Sequence, residues 1–332
     1  MAPPPLSLHW RAVLMLLLAN LFWGLSFPVI KAMSLLHAKL LPEAGTWFST
    51  LCTVAPRFVL ATLILLLLQA GELRRITRAE WQQGLLIGLF SAAGMLLQND
   101  GLQFTAASTS AFLTQLYAIL IPLVLAVRYR TNPGGSVWLS CLLVLAGVAI
   151  LGRFDWHTLR FGRGEAETLL ASLFFMGQIL CLGSRRFAAN RPGRITLVMF
   201  AVQALVFTGL WGAAAPDLAS LLRPFGSPAW LGFTLVLTLF CTLGSFSLMN
   251  AWQPKISSTE AGLIYCVEPI FGSLMALFLP AVFSVWAGIQ YANETLTWTL
   301  LVGGALITAA NVLIQLRPPR VLPVSPSLGA AD

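Results

Sequence analysis

The hexapeptide LLANLF at residues 17–22 returns almost unchanged as LLASLF at residues 169–174. Later in the chain, QFTAASTSAFL at 103–113 aligns with QPKISSTEAGL at 253–263 at an offset of 150 residues, close to the first offset of 152. The offset of 150 also relates two further pairs, Phe90 with Phe240 and Gly94 with Gly244. Because the spacing is nearly constant over separated segments, the sequence predicts an internal duplication of about half the chain.

The composition indicates a protein of the lipid bilayer. Of the 332 residues, 58% are hydrophobic and 10% are charged, whereas a soluble domain has roughly 25% charged residues. A soluble fold of this length could not hide so much apolar surface. The net charge of +8 comes from short basic clusters between apolar runs, which excludes the continuous basic stripe of a nucleic-acid-binding domain.

Ten apolar segments are long enough to be predicted as membrane-spanning helices, each of which needs about 20 mostly apolar residues. They cover residues 10–31, 46–69, 81–100, 105–127, 135–152, 166–184, 195–214, 229–251, 258–282 and 296–316. Several connections are very short, so the sequence leaves no room for a soluble domain between these spans.

The predicted repeat unit contains five spans, and an odd number has a topological consequence. The second copy must enter the membrane from the opposite side, so residues 1–160 and 161–332, the latter with a Pro-rich tail, would form two inverted five-helix repeats. Such a pair places a substrate site near the membrane midplane, between the copies. The alternative is a duplicated membrane scaffold without a pathway.

Lysine and arginine favour one orientation of the ten predicted spans. Basic residues concentrate in the connections that would be cytoplasmic if the N-terminus is cytoplasmic, such as Arg74, Arg75 and Arg78, and Arg185, Arg186, Arg191 and Arg194. Because cytoplasmic loops carry an excess of Lys and Arg, we expect both termini to lie in the cytoplasm. We expect the protein to be integral to the cell membrane, which we interpret as a bacterial inner membrane.

Four segments resemble the ten-helix EamA-type transporters of the drug/metabolite transporter superfamily. They are LFWGLSFPVIK (21–31), PRFVLATLILLLL (56–68), TAASTSAFLTQLYAILIPLV (105–124) and SSTEAGLIYCVEPIFG (257–272). The resemblance implies a secondary carrier, usually an exporter of amino acids or other small metabolites. One stretch departs from the family: residues 279–295 replace a short turn that commonly holds a Gly-Glu pair, of which only Glu294 remains.

Two ionisable residues lie inside predicted spans. Such groups cost about 2.5–3.5 kcal/mol at the bilayer centre on insertion scales. Glu268 lies near mid-depth in the ninth span and precedes Pro269, which loosens the helix by removing a backbone donor. It could gate a pathway, bind a cationic group or carry a proton, or it could be a packed carboxyl group. Arg57 in the second span could line a cavity, pair with Glu268, or extend towards an interface.

Helical spacing supplies the remaining candidates for substrate binding. Asn20 and Trp23 share a face of the first helix, Thr114 and Tyr117 share a face of the fourth, and Tyr265 shares a face of the ninth with Glu268. Gln115 is the repeat equivalent of Tyr265 at the offset of 150. Aromatic walls with a few polar anchors are typical of small-molecule sites, although hydroxyl groups in membrane helices also serve packing.

The leading interpretation is an alternating-access carrier of small metabolites, with protons as one candidate coupling ion. No G-x-x-x-x-G-K-[ST] nucleotide-binding motif occurs, so a gradient would supply the energy. An intramembrane enzyme is disfavoured, because no mid-span histidine and no second mid-span acid are available for catalysis or metal binding. We expect no cofactor, metal or nucleic acid. A lipid flippase stays open as an alternative function. A monomer and a homodimer, each in contact with membrane lipids, both stay open as the oligomeric state.

Overall fold

The computed structural model describes residues 7–101, 104, 110, 113–152 and 162–316. Its regular elements in this part of the chain are α-helices with short 3-10 and π segments. Six helices are long and apolar enough to cross a membrane, and one bent helix pair makes a seventh candidate. The chain is therefore an all-helical polytopic membrane protein, as the composition predicts.

The first half of the chain forms five described α-helices. They are α1 (Leu8–Leu40), α2 (Thr46–Leu68), α3 (Arg78–Gly101), α4 (Tyr117–Tyr129) and α5 (Gly135–Leu151). The helix α1 runs nine residues beyond the predicted end at residue 31, because the chain after Lys31 keeps a helical alternation of buried and exposed residues.

The second half contains nine further α-helices, several of them short pieces of one span. They are α6 (Arg163–Leu182), α7 (Pro192–Ala214), α8 (Leu218–Leu222), α9 (Pro228–Thr238), α10 (Ser245–Trp252), α11 (Ser258–Tyr265), α12 (Glu268–Ala276), α13 (Leu279–Ala287) and α14 (Trp298–Leu316). A π-helical turn, Leu239–Gly244, joins α9 to α10, so residues 228–252 form one irregular span.

The predicted ninth span differs most from the structure. Instead of one helix over 258–282, the chain forms α11, α12 and α13, and the last of these turns away by 59°. The third predicted span is helical but is not among the six long apolar helices. The beginning of the fourth span and the Pro-rich tail lie outside the described residues, so the count of ten spans stays a prediction.

Helix packing joins the two halves of the chain at several crossings. The helix α3 packs against α6 and α7, α2 packs against α7, and α5 packs against α14. The α5–α14 crossing is very close: a Cβ atom at Gly147 would come within 2.8 Å of the Gly303 carbonyl oxygen, and one at Gly303 within 2.6 Å of the Gly147 oxygen. Small residues permit this approach of two membrane helices.

An ion-pair network joins the α2–α3 connection to the start of α7. The Arg194 guanidinium lies 2.5 Å from a Glu72 oxygen and 3.3 Å from a Glu80 oxygen, and it also donates to the Arg75 carbonyl oxygen. The hydrogen bond from Arg194 is the main cause that holds the pKa of Glu72 below its usual range. These contacts fix the two halves to each other at the side predicted to be cytoplasmic.

Candidate functional site

Two helices are interrupted within one residue of equivalent positions of the predicted repeat. Before α4, Gln115 and Leu116 form a turn, and before α12, Cys266 and Val267 form a turn. In both turns the backbone bonds tighten to the i to i−3 type, as in the bonds from Ile119 to Leu116 and from Ile270 to Val267. Interrupted membrane helices leave backbone groups free for a bound solute.

The proline residues in these spans help to explain the interruptions. Pro269 lacks the N–H that would bond the carbonyl group one turn earlier, so α12 starts anew with Glu268 as its first residue. Pro122 likewise frees the carbonyl oxygen of Ala118, and the Cys141 thiol lies 3.3 Å from that oxygen. The sequence therefore indicates where both helices weaken.

The two interruptions touch each other. The Cys266 thiol donates to Gln115 Oε1 at 3.0 Å, and a Cβ atom at Gly262 would lie 2.9 Å from Ile121. Gln115, expected to be a binding residue, is buried at this crossing of α4 and α11. Its side chain therefore lies between the two halves of the chain.

The predicted faces of the first and ninth helices meet. The Trp23 ring lies 5.5 Å from the Tyr265 ring and 5.4 Å from the Phe246 ring, in edge-to-face geometry both times. Below them the helices cross closely, because a Cβ atom at Gly24 would come within 2.5 Å of Phe271. Tyr265 also donates its hydroxyl hydrogen to Gln253 Oε1 at 2.9 Å.

Arg57 is enclosed by protein and does not extend to an interface. Its side chain is 3% exposed, and its guanidinium carbon lies 5.0 Å from the centre of the Phe58 ring. Its Nε atom is buried and has no hydrogen-bond acceptor among the described residues. The predicted ion pair with Glu268 is not formed, since no carboxylate of the described residues lies within 4.0 Å of the guanidinium.

Glu268 lies deep among protein atoms and still keeps part of its surface accessible. Within the described part of the chain, its carboxyl group has no ion-pair or hydrogen-bond partner. As the first residue of α12, it lies where the helix dipole favours a negative charge. A partly accessible carboxyl group at such depth suits a proton or a cationic group of a solute.

The other predicted binding residues, which are Asn20, Thr114 and Tyr117, have three different environments. Asn20 donates its Nδ2 hydrogen to the Leu16 carbonyl oxygen at 2.7 Å, while its buried Oδ1 atom has no partner in the part of the chain that the structure describes. Thr114 accepts a hydrogen bond from Gln98 at 3.1 Å, which is a packing contact within the first half. Tyr117, the first residue of α4, is buried next to Gly262.

Residues in the π-helical turn were missed by the sequence analysis. The Cys241 thiol lies within electrostatic range of both Arg57 and Glu268, and the buried Thr242 hydroxyl has no partner among the residues that the structure describes. The turn packs against both α1 and α2. A cysteine in an apolar run gives no sign of these neighbours, although π-helical turns are frequent at functional sites.

A metal centre has no support in this geometry. Among the described residues, no group of three or more His, Cys, Asp or Glu side chains is placed to hold a metal ion. All five cysteines carry free thiols. The chemistry available around the interrupted helices is therefore aromatic contact, hydrogen bonding and two opposite charges, which suits binding of a solute.

Comparisons with known proteins agree with this architecture. Residues 10–153 match the EamA-like transporter family. A protein of Archaeoglobus fulgidus described as an uncharacterized transporter is 25% identical over 303 residues, covering 91% of this chain and 85% of that protein. A solved crystal structure shares the fold with a TM-score of 0.66 at 18% sequence identity, over 93% of this chain and 97% of that one.

The helical membrane architecture and these relatives define the class of the protein as a membrane transporter. Within this class, residues 10–153 match the EamA-like transporter family, and this match supports an EamA-type transporter of the drug/metabolite transporter superfamily.

Proposed function

We propose that this protein is a secondary carrier that exports small metabolites, such as amino acids, by alternating access. Its two halves, residues 1–160 and 161–332, would be inverted five-helix repeats that rock about a site near the membrane midplane. The observation that carries the proposal is the pair of interrupted helices, which meet through Gln115 and Cys266. Interrupted helices at a repeat interface are typical of secondary transporters.

Aromatic contacts support the inverted repeat. The ring centres of Phe22 and Phe240 are 5.6 Å apart, and those of Phe90 and Phe174 are 6.4 Å apart. Phe90 and Phe240 are repeat equivalents, as are Phe22 and Phe174, so the same contact occurs twice with the roles of the halves exchanged. A two-fold relation between the copies produces this reciprocity.

The α5–α14 crossing supports the same relation. A Cβ atom at Gly147 would lie 2.7 Å from Ile307, and one at Gly303 would lie 2.7 Å from Leu151. Both pairs, Gly147 with Gly303 and Leu151 with Ile307, have an offset of 156 residues. This offset exceeds the earlier 150 because the long stretch at 279–295 lies between the matched segments of the second copy.

The substrate in this proposal contacts the residues around the interrupted helices. Trp23 and Tyr265 supply an aromatic wall, and Asn20, Gln115, Thr114 and Tyr117 supply polar contacts. Arg57 and Glu268 supply the charges, and Glu268 also carries a proton that couples export to the proton gradient. Opening first to one side and then to the other would require the contacts between the halves to break in turn.

The orientation belongs to the proposal as well. Both termini face the cytoplasm of a cell membrane, a bacterial inner membrane, so the network of Glu72, Glu80 and Arg194 would close the cytoplasmic side. Reporter fusions at the two ends test this arrangement. Ends on opposite faces would contradict an even number of spans and, with it, the inverted repeat.

The transport activity is tested by comparing the metabolites in the medium of cells that contain the protein and of cells that lack it. Purified protein in vesicles is then assayed for flux of each solute that accumulates outside. We expect faster release of a small set of solutes, and vesicle flux that needs no nucleotide. Identical media and no flux above that of empty vesicles would overturn the proposal.

A further inference from the structure

We propose that Arg57 binds an oxyanion of the transported solute, a carboxylate in the first instance. The inference rests on the proposed transport function and gives it a substrate class: solutes with an acidic group and an apolar part. The environment of the guanidinium is unusual for an arginine this deeply buried.

The guanidinium lacks the partners that a buried arginine normally has. No described residue accepts a hydrogen bond from Arg57, and Nε is fully buried without an acceptor. Arg194 shows the ordinary pattern in the same protein, because it donates to Glu72, Glu80 and the Arg75 carbonyl oxygen. Enclosing a charge without partners is costly, so a ligand that pairs with Arg57 would gain the whole interaction.

Other unpaired polar atoms come from the elements that surround Arg57. The π-helical turn packs against α1 and against α2, which carries Arg57. The buried Oδ1 atom of Asn20 in α1 and the buried hydroxyl of Thr242 in the turn also lack partners within the described ranges of the chain. Unsatisfied buried groups are rare in native structures. Here such groups come from three elements that are in contact with one another, which points to a polar ligand.

The chemistry of arginine selects the class of ligand. The planar guanidinium presents its donors in a fixed fork that matches the two oxygens of a carboxylate or phosphate. Glu268 and Arg57 both act electrostatically on the Cys241 thiol, and the ionised form of Glu268 would disfavour a ligand with acidic groups at both ends. One acidic end therefore fits Arg57.

Aromatic side chains next to Arg57 suit the rest of the solute. Phe58 follows Arg57 in α2, and its ring centre lies 6.3 Å from that of Phe246. The Phe246 ring in turn contacts Trp23. A solute with its acidic group on Arg57 would thus lie beside a buried aromatic cluster, and apolar walls with a few polar groups are the usual composition of a small-molecule site.

The experiment is an untargeted comparison of media with four forms of the protein: the natural chain, Arg57→Gln, Arg57→Lys and the control Arg223→Gln. Arg223 is exposed in a connecting segment, so its replacement removes the same charge away from the site. Equal amounts of protein that elutes as a single species establish that each variant folds.

We expect the exported solutes to carry a carboxylate or another oxyanion, and we expect Arg57→Gln to lose their export while Arg223→Gln keeps it. Arg57→Lys keeps the charge but loses the fork, so the solute concentration for half-maximal vesicle flux should rise about tenfold. Exported solutes without an acidic group, or unchanged export by Arg57→Gln, would overturn the inference while leaving transport intact.

A final arm separates a soluble acid from a lipid phosphate as the source of the oxyanion. Vesicles that contain fluorescent phosphatidylglycerol report translocation of this lipid by purified protein. Translocation that Arg57→Gln abolishes would support the oxyanion site with a lipid headgroup as its ligand and overturn the soluble carboxylate. If neither solute nor lipid moves in the natural protein, the proposed function fails, and this inference fails with it.

Discussion

The Cys266 thiol donates to Gln115 Oε1 at 3.0 Å, and each of these residues lies two positions before an interrupted helix resumes. Gln115 is the repeat equivalent of Tyr265, the residue before Cys266, so the contact joins nearly equivalent positions of the predicted repeat. In a pair of copies related by a two-fold axis, nearly equivalent positions meet only close to the axis. The contact would therefore lie close to the point about which the two halves rock in the proposed transport cycle.

A reversible cross-link at this point should stop transport. In protein with Gln115→Cys, and with alanine at the other four native cysteines, a short dithiol-reactive linker should join position 115 to Cys266. Vesicle flux should fall about tenfold or more, because the two halves cannot separate while the link holds. A tenfold fall corresponds to a cost of roughly 1.4 kcal/mol. A reducing agent should restore the flux.

The control for this cross-link has alanine at all five native cysteines and Gln115→Cys as its one thiol. It takes up the reagent at one position without joining the halves. Equal inhibition of both proteins would indicate simple blockage by the reagent. Full flux through the cross-linked protein would show that these helices do not move apart during transport.

The all-helical membrane class of the fold could be predicted from the sequence because long apolar runs are a local signal. The weak point at Pro269 could also be predicted, since proline removes a helical hydrogen bond. The meeting of Trp23 and Tyr265 followed from the helical faces, but their distance did not. Such a distance depends on how helices cross, which spacing along one helix does not determine.

The surroundings of Arg57 show where sequence reasoning ends. Its depth suggested a partner of opposite charge, and Glu268 at similar depth was the natural candidate. Depth fixes only one coordinate, however, and the two groups do not form an ion pair in the structure. The neighbours that do surround Arg57, Cys241 among them, belong to a π-helical turn whose hydrogen-bond pattern has no marker in residue type.

The two glycines of the α5–α14 crossing should be sensitive to one added methyl group. We expect Gly147→Ala and Gly303→Ala each to destabilise the protein by about 1–3 kcal/mol, the usual cost of overpacking. The losses should be similar because each new Cβ atom meets the carbonyl oxygen of the other glycine. The thermal unfolding midpoint in detergent measures the effect.

A matched control for the glycines is Gly209→Ala within α7, where a Cβ atom has no neighbour within 4 Å. Alanine is the better helix former by about 0.5–1 kcal/mol, so this variant should keep or raise the midpoint. If all three variants behave alike, helix propensity and not the close crossing determines the outcome.

The contact between Glu72 and Arg194 should make stability depend on pH in acid. The hydrogen bond from Arg194 lowers the pKa of Glu72 in the folded protein, so its contribution is fully present above the pKa of the unfolded chain. It is lost as the pH falls through the lower folded pKa. The unfolding midpoint should decline in this window, and Glu72→Gln should show a smaller decline.

The comparison for Glu72 is Glu43→Gln, which removes an exposed carboxylate that has no ion pair among the described residues. This variant should follow the acid profile of the natural protein. An unchanged acid decline in Glu72→Gln would mean that other carboxylates, such as Glu80, account for the dependence.

Glu268→Gln tests whether the deep carboxyl group carries a proton during export. Glutamine keeps the size and polarity of the side chain but cannot exchange a proton, so a proton-coupled cycle should slow about tenfold or more and lose its dependence on the pH gradient. Vesicle flux is measured with the outside pH varied at constant inside pH. Glu294→Gln, a change at an exposed position, should keep both the rate and the pH response.

The outcomes of this test separate coupling from binding. If Glu268→Gln keeps the pH response of the natural protein at a reduced rate, the carboxylate contributes to solute binding and the proton enters elsewhere. If the natural protein itself is indifferent to the pH gradient, export is driven by the solute gradient alone. The partial accessibility of Glu268 would then serve contact with the solute, because a charged group without a function at this depth is costly.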